Sequence, residues 1–145
     1  QLILNQAIDN FKINSYSQSM DIKNFDVSFA RGLSLEDGCA TITDFTAYLI
    51  AEGLKHISQK NIITFLICGG GRKNRNLIHR IKNYLSNENN IALEIIDNYN
   101  LNGDYIESQA FGFLAIRSFL NLPISFNKTT GCNGFTVGGK IVENF

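Results

Sequence analysis

Apolar residues recur at Leu4, Ala7, Ile8 and Phe11, a spacing of three and four that predicts an amphipathic helix over the first dozen residues. From Asn14 to Arg31 the chain is polar and aperiodic, and reads as a long connection. Such a length inside a compact domain goes with function, or with packing against something else. Ser34-Leu35-Glu36-Asp37 has the form of a helix start, a hydroxyl followed three residues later by an acid. Ala40, Phe45, Tyr48, Leu49 and Leu54 then sustain a helical period to about His56. Ile62 to Cys68 is an almost unbroken apolar run, which predicts a central strand covered by helices on both faces. Gly69-Gly70-Gly71 turns the chain, and Leu77, Ile78, Ile81, Tyr84 and Leu85 give the next helix a buried stripe.

A shorter strand is expected from Ile91 to Ile96, followed by an acidic, Asn-rich turn from Asp97 to Asp104. The last long helix runs from about Tyr105 to Leu120, its turns marked by Ala110, Phe113, Leu114 and Arg117, and Leu122-Pro123 stops it. The tail from Thr129-Thr130-Gly131 through Gly138-Gly139 is glycine-rich and reads as extended or looped. Helix, strand, helix, strand, helix, with no internal repeat, is an α/β order, taken as a single α/β domain over residues 1–145.

Composition narrows the function classes. The 145 residues are 44% hydrophobic, enough for one core. Thirteen basic side chains balance thirteen acidic ones, so no long-range field draws the chain to a phosphate backbone, and nucleic acid is not an expected partner. No apolar run approaches the ~18–20 residues of a membrane span. Gln1-Leu2-Ile3-Leu4 lacks a basic flank ahead of an apolar core, so no signal peptide is expected. Three cysteines without paired spacing argue against a disulfide framework and suit a reducing cytoplasm.

The residues that carry chemistry cluster in two places. Gly69-Gly70-Gly71-Arg72-Lys73-Asn74 joins a buried strand to a helix. Glycines there let the backbone approach a ligand, and the helix beyond presents free N–H groups to an anion. The equally open alternative is a tight connection where only glycine fits. The stretch is neither a Walker A loop, which ends in Gly-Lys-Ser/Thr, nor the dinucleotide pattern G-x-G-x-x-G. In the second place, Gly103-Asp104-Tyr105-Ile106-Glu107, Asp104 and Glu107 have the spacing of an N-cap and its reciprocal acid. The functional alternative is a carboxylate at a helix start, facing a cleft and hydrogen-bonding a sugar or water. Arg72, Lys73, Arg75 and Arg80 form a local basic cluster, either a solvated helix face or a phosphate contact. His56 and His79 have no neighbour at metal-ligand spacing, and Cys39 and Cys68 read as small core residues, so no metal site is assigned.

Taken together and in order, these stretches resemble the C-terminal part of the anhydro-N-acetylmuramic acid kinases. The resemblance is carried by Leu33-Ser34-Leu35-Glu36-Asp37-Gly38-Cys39-Ala40-Thr41, then Cys68-Gly69-Gly70-Gly71-Arg72-Lys73-Asn74. It continues through Gly103-Asp104-Tyr105-Ile106-Glu107-Ser108-Gln109-Ala110-Phe111, Leu122-Pro123, Thr129-Thr130-Gly131 and Gly138-Gly139, and covers roughly residues 16–142. It implies a partial C-terminal lobe of a two-lobed, actin/hexokinase-like kinase with ribonuclease-H-like layers. The implied enzyme uses ATP and Mg²⁺ to phosphorylate 1,6-anhydro-N-acetylmuramic acid at O6 while water opens the anhydro ring. The product, N-acetylmuramic acid 6-phosphate, belongs to peptidoglycan recycling in the cytoplasm. By resemblance, Gly69, Gly70, Gly71 and Asn74 lie near the nucleotide, Glu107 reaches the sugar, and Asp104 holds that turn and shares the sugar side.

The same resemblance implies what this stretch lacks: the aspartate that activates water and the N-terminal glycine-rich phosphate loop both precede it in the family. No catalytic residue is therefore assigned within the chain, and its expected partner is the N-terminal lobe. Phosphoryl transfer needs nucleophile, phosphates and metal aligned between closing lobes, so the isolated chain is expected to be inactive. Uncovered surfaces predict self-association into a homo-oligomer. Tyr16-Ser17-Gln18-Ser19 stands where the family usually has a Pro-Pro-Lys-Ser-like run, Arg75 where proline commonly follows the asparagine, and Asn127 at another usual proline. The competing expectations are a non-catalytic nucleotide-binding or interaction remnant and a Rossmann-like oxidoreductase, the latter disfavoured by its missing glycine pattern.

Overall fold

The computed structural model describes residues 1–11, 22–58 and 61–142. Its main elements are α1 (Leu2–Asn10), α2 (Leu35–Ser58), β1 (Ile63–Ile67), α3 (Arg75–Tyr84), β2 (Ile91–Ile95), α4 (Ile106–Phe119) and α5 (Asn127–Thr130). The predicted helix–strand alternation is present. The Tyr16–Ser19 departure and much of the Asn14–Arg31 connection lie outside the described residues.

α2 starts where its sequence says. The Ser34 hydroxyl accepts a hydrogen bond from the Asp37 amide at 3.1 Å, satisfying one of the N–H groups that a helix start leaves open. Two of its small residues, Ala47 and Ala51, are completely buried, which lets α3 approach closely. Ile81 and Leu85 pack against them, with Leu54, Leu77, Ile78, Tyr84, Ile91 and Leu93 around the rim. A second apolar cluster joins Leu4 and Ala7 of α1 to Phe45 of α2. Phe11 and Phe29 meet the Phe45 ring edge-on at 5.4 and 5.0 Å, so the described end of the long connection packs on α2.

Among the described residues the sheet has two strands, paired in parallel with Ile63 opposite Ile91 and Ile67 opposite Ile95. Ile63, Phe65 and Ile67 share one face with Ile91, Leu93 and Ile95, and all six are partly covered. Thr64, Leu66, Cys68 and Ala92 occupy the opposite face and are exposed. This corrects the expectation of a central strand covered on both sides. The unbroken apolar run fits a buried strand, but only alternate residues are partly covered, because strand side chains alternate between faces. Cys68 is exposed for that reason, and Cys39 is exposed on α2, so neither is the core residue that its size suggested.

α4 forms as predicted yet buries no residue. Leu122 and Pro123 end it, with the Leu122 amide donating to the Arg117 carbonyl at 2.8 Å. The Arg117 Nε then donates to the Pro123 carbonyl at 2.6 Å. Beyond Thr130 the tail is largely looped, as its glycines lead one to expect. Before it stands α5, closed by Gly131 in the left-handed region at φ 72°, and an antiparallel bridge joins Ser125 to Thr136.

Candidate functional site

The site is built at the end of β1. Gly69 takes φ 74°, a conformation that L side chains rarely adopt, and so turns the strand into the tight helical turn Gly70–Lys73. Asn74 then caps α3, its side-chain oxygen accepting from the Leu77 amide at 3.1 Å. A side chain at Gly70 would point into open space, and among the described residues the amides of Gly70 and Gly71 donate to no protein group. That leaves two adjacent donors and free room beside them.

The bend does not stand alone. The Gly69 amide donates to the Gly103 carbonyl at 2.9 Å, which brings the approach to α4 against the end of β1. Arg72 fastens the junction. Its Nε donates to Asp97 Oδ2 and its Nη1 to Asp104 Oδ1, both at 2.7 Å, while Lys73 Nζ donates to Asp104 Oδ2 at 2.8 Å. The Arg72 hydrogen bond, followed by that of Lys73, holds the Asp104 carboxyl well below the usual carboxylate range. Arg72 also lowers Asp97, with burial opposing it, and the two carboxylates raise Arg72 in return, Asp104 more than Asp97.

These contacts revise several expectations. Asp104 is not the N-cap of α4: Tyr105 occupies that position, with no side-chain cap bond. Each Asp104 oxygen already accepts from a cation, so the carboxylate is drawn to the glycine bend and away from the helix it precedes. It ties the approach to α4 to the glycine bend. Glu107 lies in the first turn of α4, exposed, three residues beyond Asp104. Of the basic cluster, Lys73, Arg75 and Arg80 are exposed, as a solvated face would be, and Arg72 alone is buried. Arg72 and Lys73 are paired as described, and Arg80 Nη2 pairs with Asp44 Oδ2 at 2.7 Å.

Sequence reasoning missed the cavity beside the bend. A mostly polar hollow of about 510 Å³ lies between the first half of α2 and the start of α3, lined by Glu36, Cys39, Ala40, Thr43, Asn74, Asn76, His79 and Arg80. The α2 start and the glycine stretch, some thirty-five positions apart in sequence, thus share one wall. The signal for it was the helical register that puts Glu36, Cys39, Ala40 and Thr43 on one side of α2. Beneath it Asp44 is buried. Burial and then Asp44 itself push the Tyr84 hydroxyl up.

Residues 11–144 match the family model described as anhydro-N-acetylmuramic acid kinase. The chain belongs to the anhydro-N-acetylmuramic acid kinase family. It is 48% identical to the Pelagibacter ubique protein of that name over 150 aligned positions, which cover all of this chain and 40% of that relative. The Zymomonas mobilis kinase is 36% identical over 86% of the chain and 33% of its own length. Anhydro-N-acetylmuramic acid kinase 2 of a Jannaschia species is 33% identical over 88% and 32%. The chain therefore spans between about a third and two fifths of the curated relatives it matches. Family membership removes the oxidoreductase alternative. Among the described residues no helix is long and apolar enough to cross a membrane.

Proposed function

We propose that this chain supplies the nucleotide-side bend and the sugar-side helix start of an ATP-dependent anhydro-N-acetylmuramic acid kinase. In this reading it forms part of the C-terminal lobe of a two-lobed, actin/hexokinase-like enzyme acting in the cytoplasm. The complete enzyme converts 1,6-anhydro-N-acetylmuramic acid to N-acetylmuramic acid 6-phosphate in peptidoglycan recycling. The observation that carries the reading is the Gly69–Gly103 hydrogen bond. It sets the glycine bend and the segment leading to Glu107 side by side, although thirty-eight positions separate Gly69 from Glu107.

The residues present fit a nucleotide phosphate. Gly70 and Gly71 offer unpaired amides beside open space, and Asn74 sits at the helix start next to them. The triphosphate supplies the phosphoryl group; this chain binds and orients it. Asn74 fixes the direction in which α3 leaves the bend, and Glu107 is aimed at a sugar hydroxyl. Mg²⁺ would accompany the nucleotide phosphates, and no residue of this chain is assigned to hold it. Among the described residues no three His, Cys, Asp or Glu side chains group together, and Asp97 and Asp104 are held by Arg72 and Lys73. No step is assigned to the metal on this chain. By the family resemblance the base that activates water and the phosphate loop belong to the remainder of the family's length, and alignment of nucleotide, sugar and water needs that second surface.

The test combines the chain with a separately produced N-terminal lobe and measures phosphorylated sugar, alongside calorimetry of the chain with ADP. Turnover only in the mixture supports the proposal. No turnover with both halves folded overturns the catalytic part. ADP affinity that persists without turnover in any combination assigns the chain to a non-catalytic nucleotide-binding module.

A further inference from the structure

All three guanidinium nitrogens of Arg72 are engaged, and they reach three separate segments. Nε and Nη2 grip Asp97 at 2.7 and 3.2 Å, just after β2. Nη1 donates to Asp104 at 2.7 Å, just before α4, and to the Gly69 carbonyl at 2.9 Å, at the end of β1. The side chain is only 7% exposed. Gly103 closes over it so tightly that a Cβ there would lie 2.5 Å from Nε and 2.8 Å from Cζ. The Gly103 amide donates to Asp97 as well, at 3.4 Å. Arginine alone has the planar fork for this; lysine offers one point charge. Two cations and two carboxylates leave the cluster neutral, so its work is positional and no spare charge is left for an anion.

We propose that Arg72 is a positioning residue that holds the glycine bend and the head of α4 as one rigid unit, so that a nucleotide seated on Gly70 and Gly71 fixes the position of Glu107. This rests on the kinase reading above and adds to it a physical link between its two substrates. The clamp stands apart from the Ala47–Ala51–Ile81–Leu85 cluster that holds α2 against α3, so loosening it leaves that cluster intact. The bend and the helix head then move independently.

Amide hydrogen exchange on the 145-residue chain, with and without saturating ADP, tests the link in Arg72→Lys, Asp104→Asn and Gly103→Ala. The last crowds Arg72 without altering any charge. In the unaltered chain ADP slows exchange in both 69–74 and 103–109. In each variant ADP slows 69–74 only, and basal exchange over both 69–74 and 103–109 rises about tenfold, while peptides of α2 and α3 keep their rates. Undiminished ADP protection of 103–109 in the variants overturns the proposal, and so does an equal rise throughout α2 and α3. If ADP protects neither segment of the unaltered chain, the nucleotide reading fails, and the clamp is decided by basal rates. Joint loosening of 69–74 and 103–109 sustains it, and loosening of one without the other overturns it. Arg72→Lys, which retains the charge, serves should Asp104→Asn not fold.

Discussion

α3 and α4 are both helices that follow a strand and a turn, yet they end in opposite situations. α3 has ten residues, three of them charged, and lays one narrow stripe on α2, with Ile81 fully covered. α4 has fourteen residues, is far more apolar, and buries none of them. Phe111 is 65% exposed and Phe119 67%, and Ile116 and Leu120 are exposed with them. A helix with a single apolar stripe is completed by one neighbour; a helix apolar on several sides is written for a position enclosed by more than one. The same contrast divides the sheet, whose inner face meets α2 and α3 while Leu66 and Ile62 stand open. In a chain spanning 32–40% of these relatives' length, the first half of the contrast is closed locally and the second is not.

The contrast breaks or holds most visibly under truncation of one large side chain on each side. Ile81→Ala removes atoms from the filled junction of α2 and α3 and is expected to cost about 2–5 kcal/mol, read from the denaturant midpoint at constant m. Phe111→Ala removes more atoms from a surface already wet and is expected to change stability by less than about 0.5 kcal/mol. Equal losses at the two sites would mean that α4 is packed in solution, and the distinction would fall.

Within the closed half, Asn74 separates a structural role from a ligand role. Asn74→Ala loses the cap of α3 and is expected to cost about 0.5–2 kcal/mol. Asn74→Asp keeps an accepting oxygen and the cap, so thermal stability is retained, while its negative charge opposes a phosphate at the neighbouring amides. ADP affinity falling in the Asp variant with an unchanged melting temperature assigns Asn74 both jobs; unchanged affinity leaves it as a cap alone.

A smaller effect runs in the stabilising direction. Arg75 occupies the first position of α3, where the amide has no partner within the helix and proline is favoured. Asn74 before it is extended at φ −81° and ψ 93°, a backbone that a following proline tolerates. Arg75→Pro is therefore expected to raise stability by about 0.4–1 kcal/mol by restricting the unfolded chain. A loss in the same unfolding measurement would show that the Arg75 side chain, or its amide, contributes a contact of its own.

These outcomes follow how the sequence encodes the molecule. Ser34 and Asp37 announced the start of α2, and the stripe from Leu77 to Leu85 announced α3, because a cap and a helical period are local physics. The bend and the α4 head were legible as separate pieces, and the kinship of the motifs put them in one family. What could not be read was the partner of Asp104. A capping-box spacing and a long-range ion pair use the same carboxylate, and the choice depends on Arg72 arriving from thirty-two positions away. The polar hollow between α2 and α3 was illegible for the same reason, as it exists only once two distant helices are packed. The outer face of β1 misled because an unbroken apolar run reports the environment a strand fits, whichever chain supplies it.

The weakest expected effect on stability carries the strongest one on association. Phe111 and Phe119, with Ile116 and Leu120, border an apolar hollow of about 650 Å³ between α4 and the segment around Gly138–Ile141. Contiguous apolar surface of this kind drives self-association in an aqueous solution. Light scattering of the 145-residue chain should therefore show a mass that rises with concentration. The double variant Phe111→Ser, Phe119→Ser should leave the denaturant midpoint within about 0.5 kcal/mol and shift the distribution toward monomer. A monodisperse monomer before substitution would count against an open α4 surface. Association unchanged by the double variant would move its origin to the other uncovered surface, the outer face of the sheet at Ile62 and Leu66, where Leu66→Thr then becomes the informative change. Either result locates the face that the closed half of the chain leaves for something else to cover.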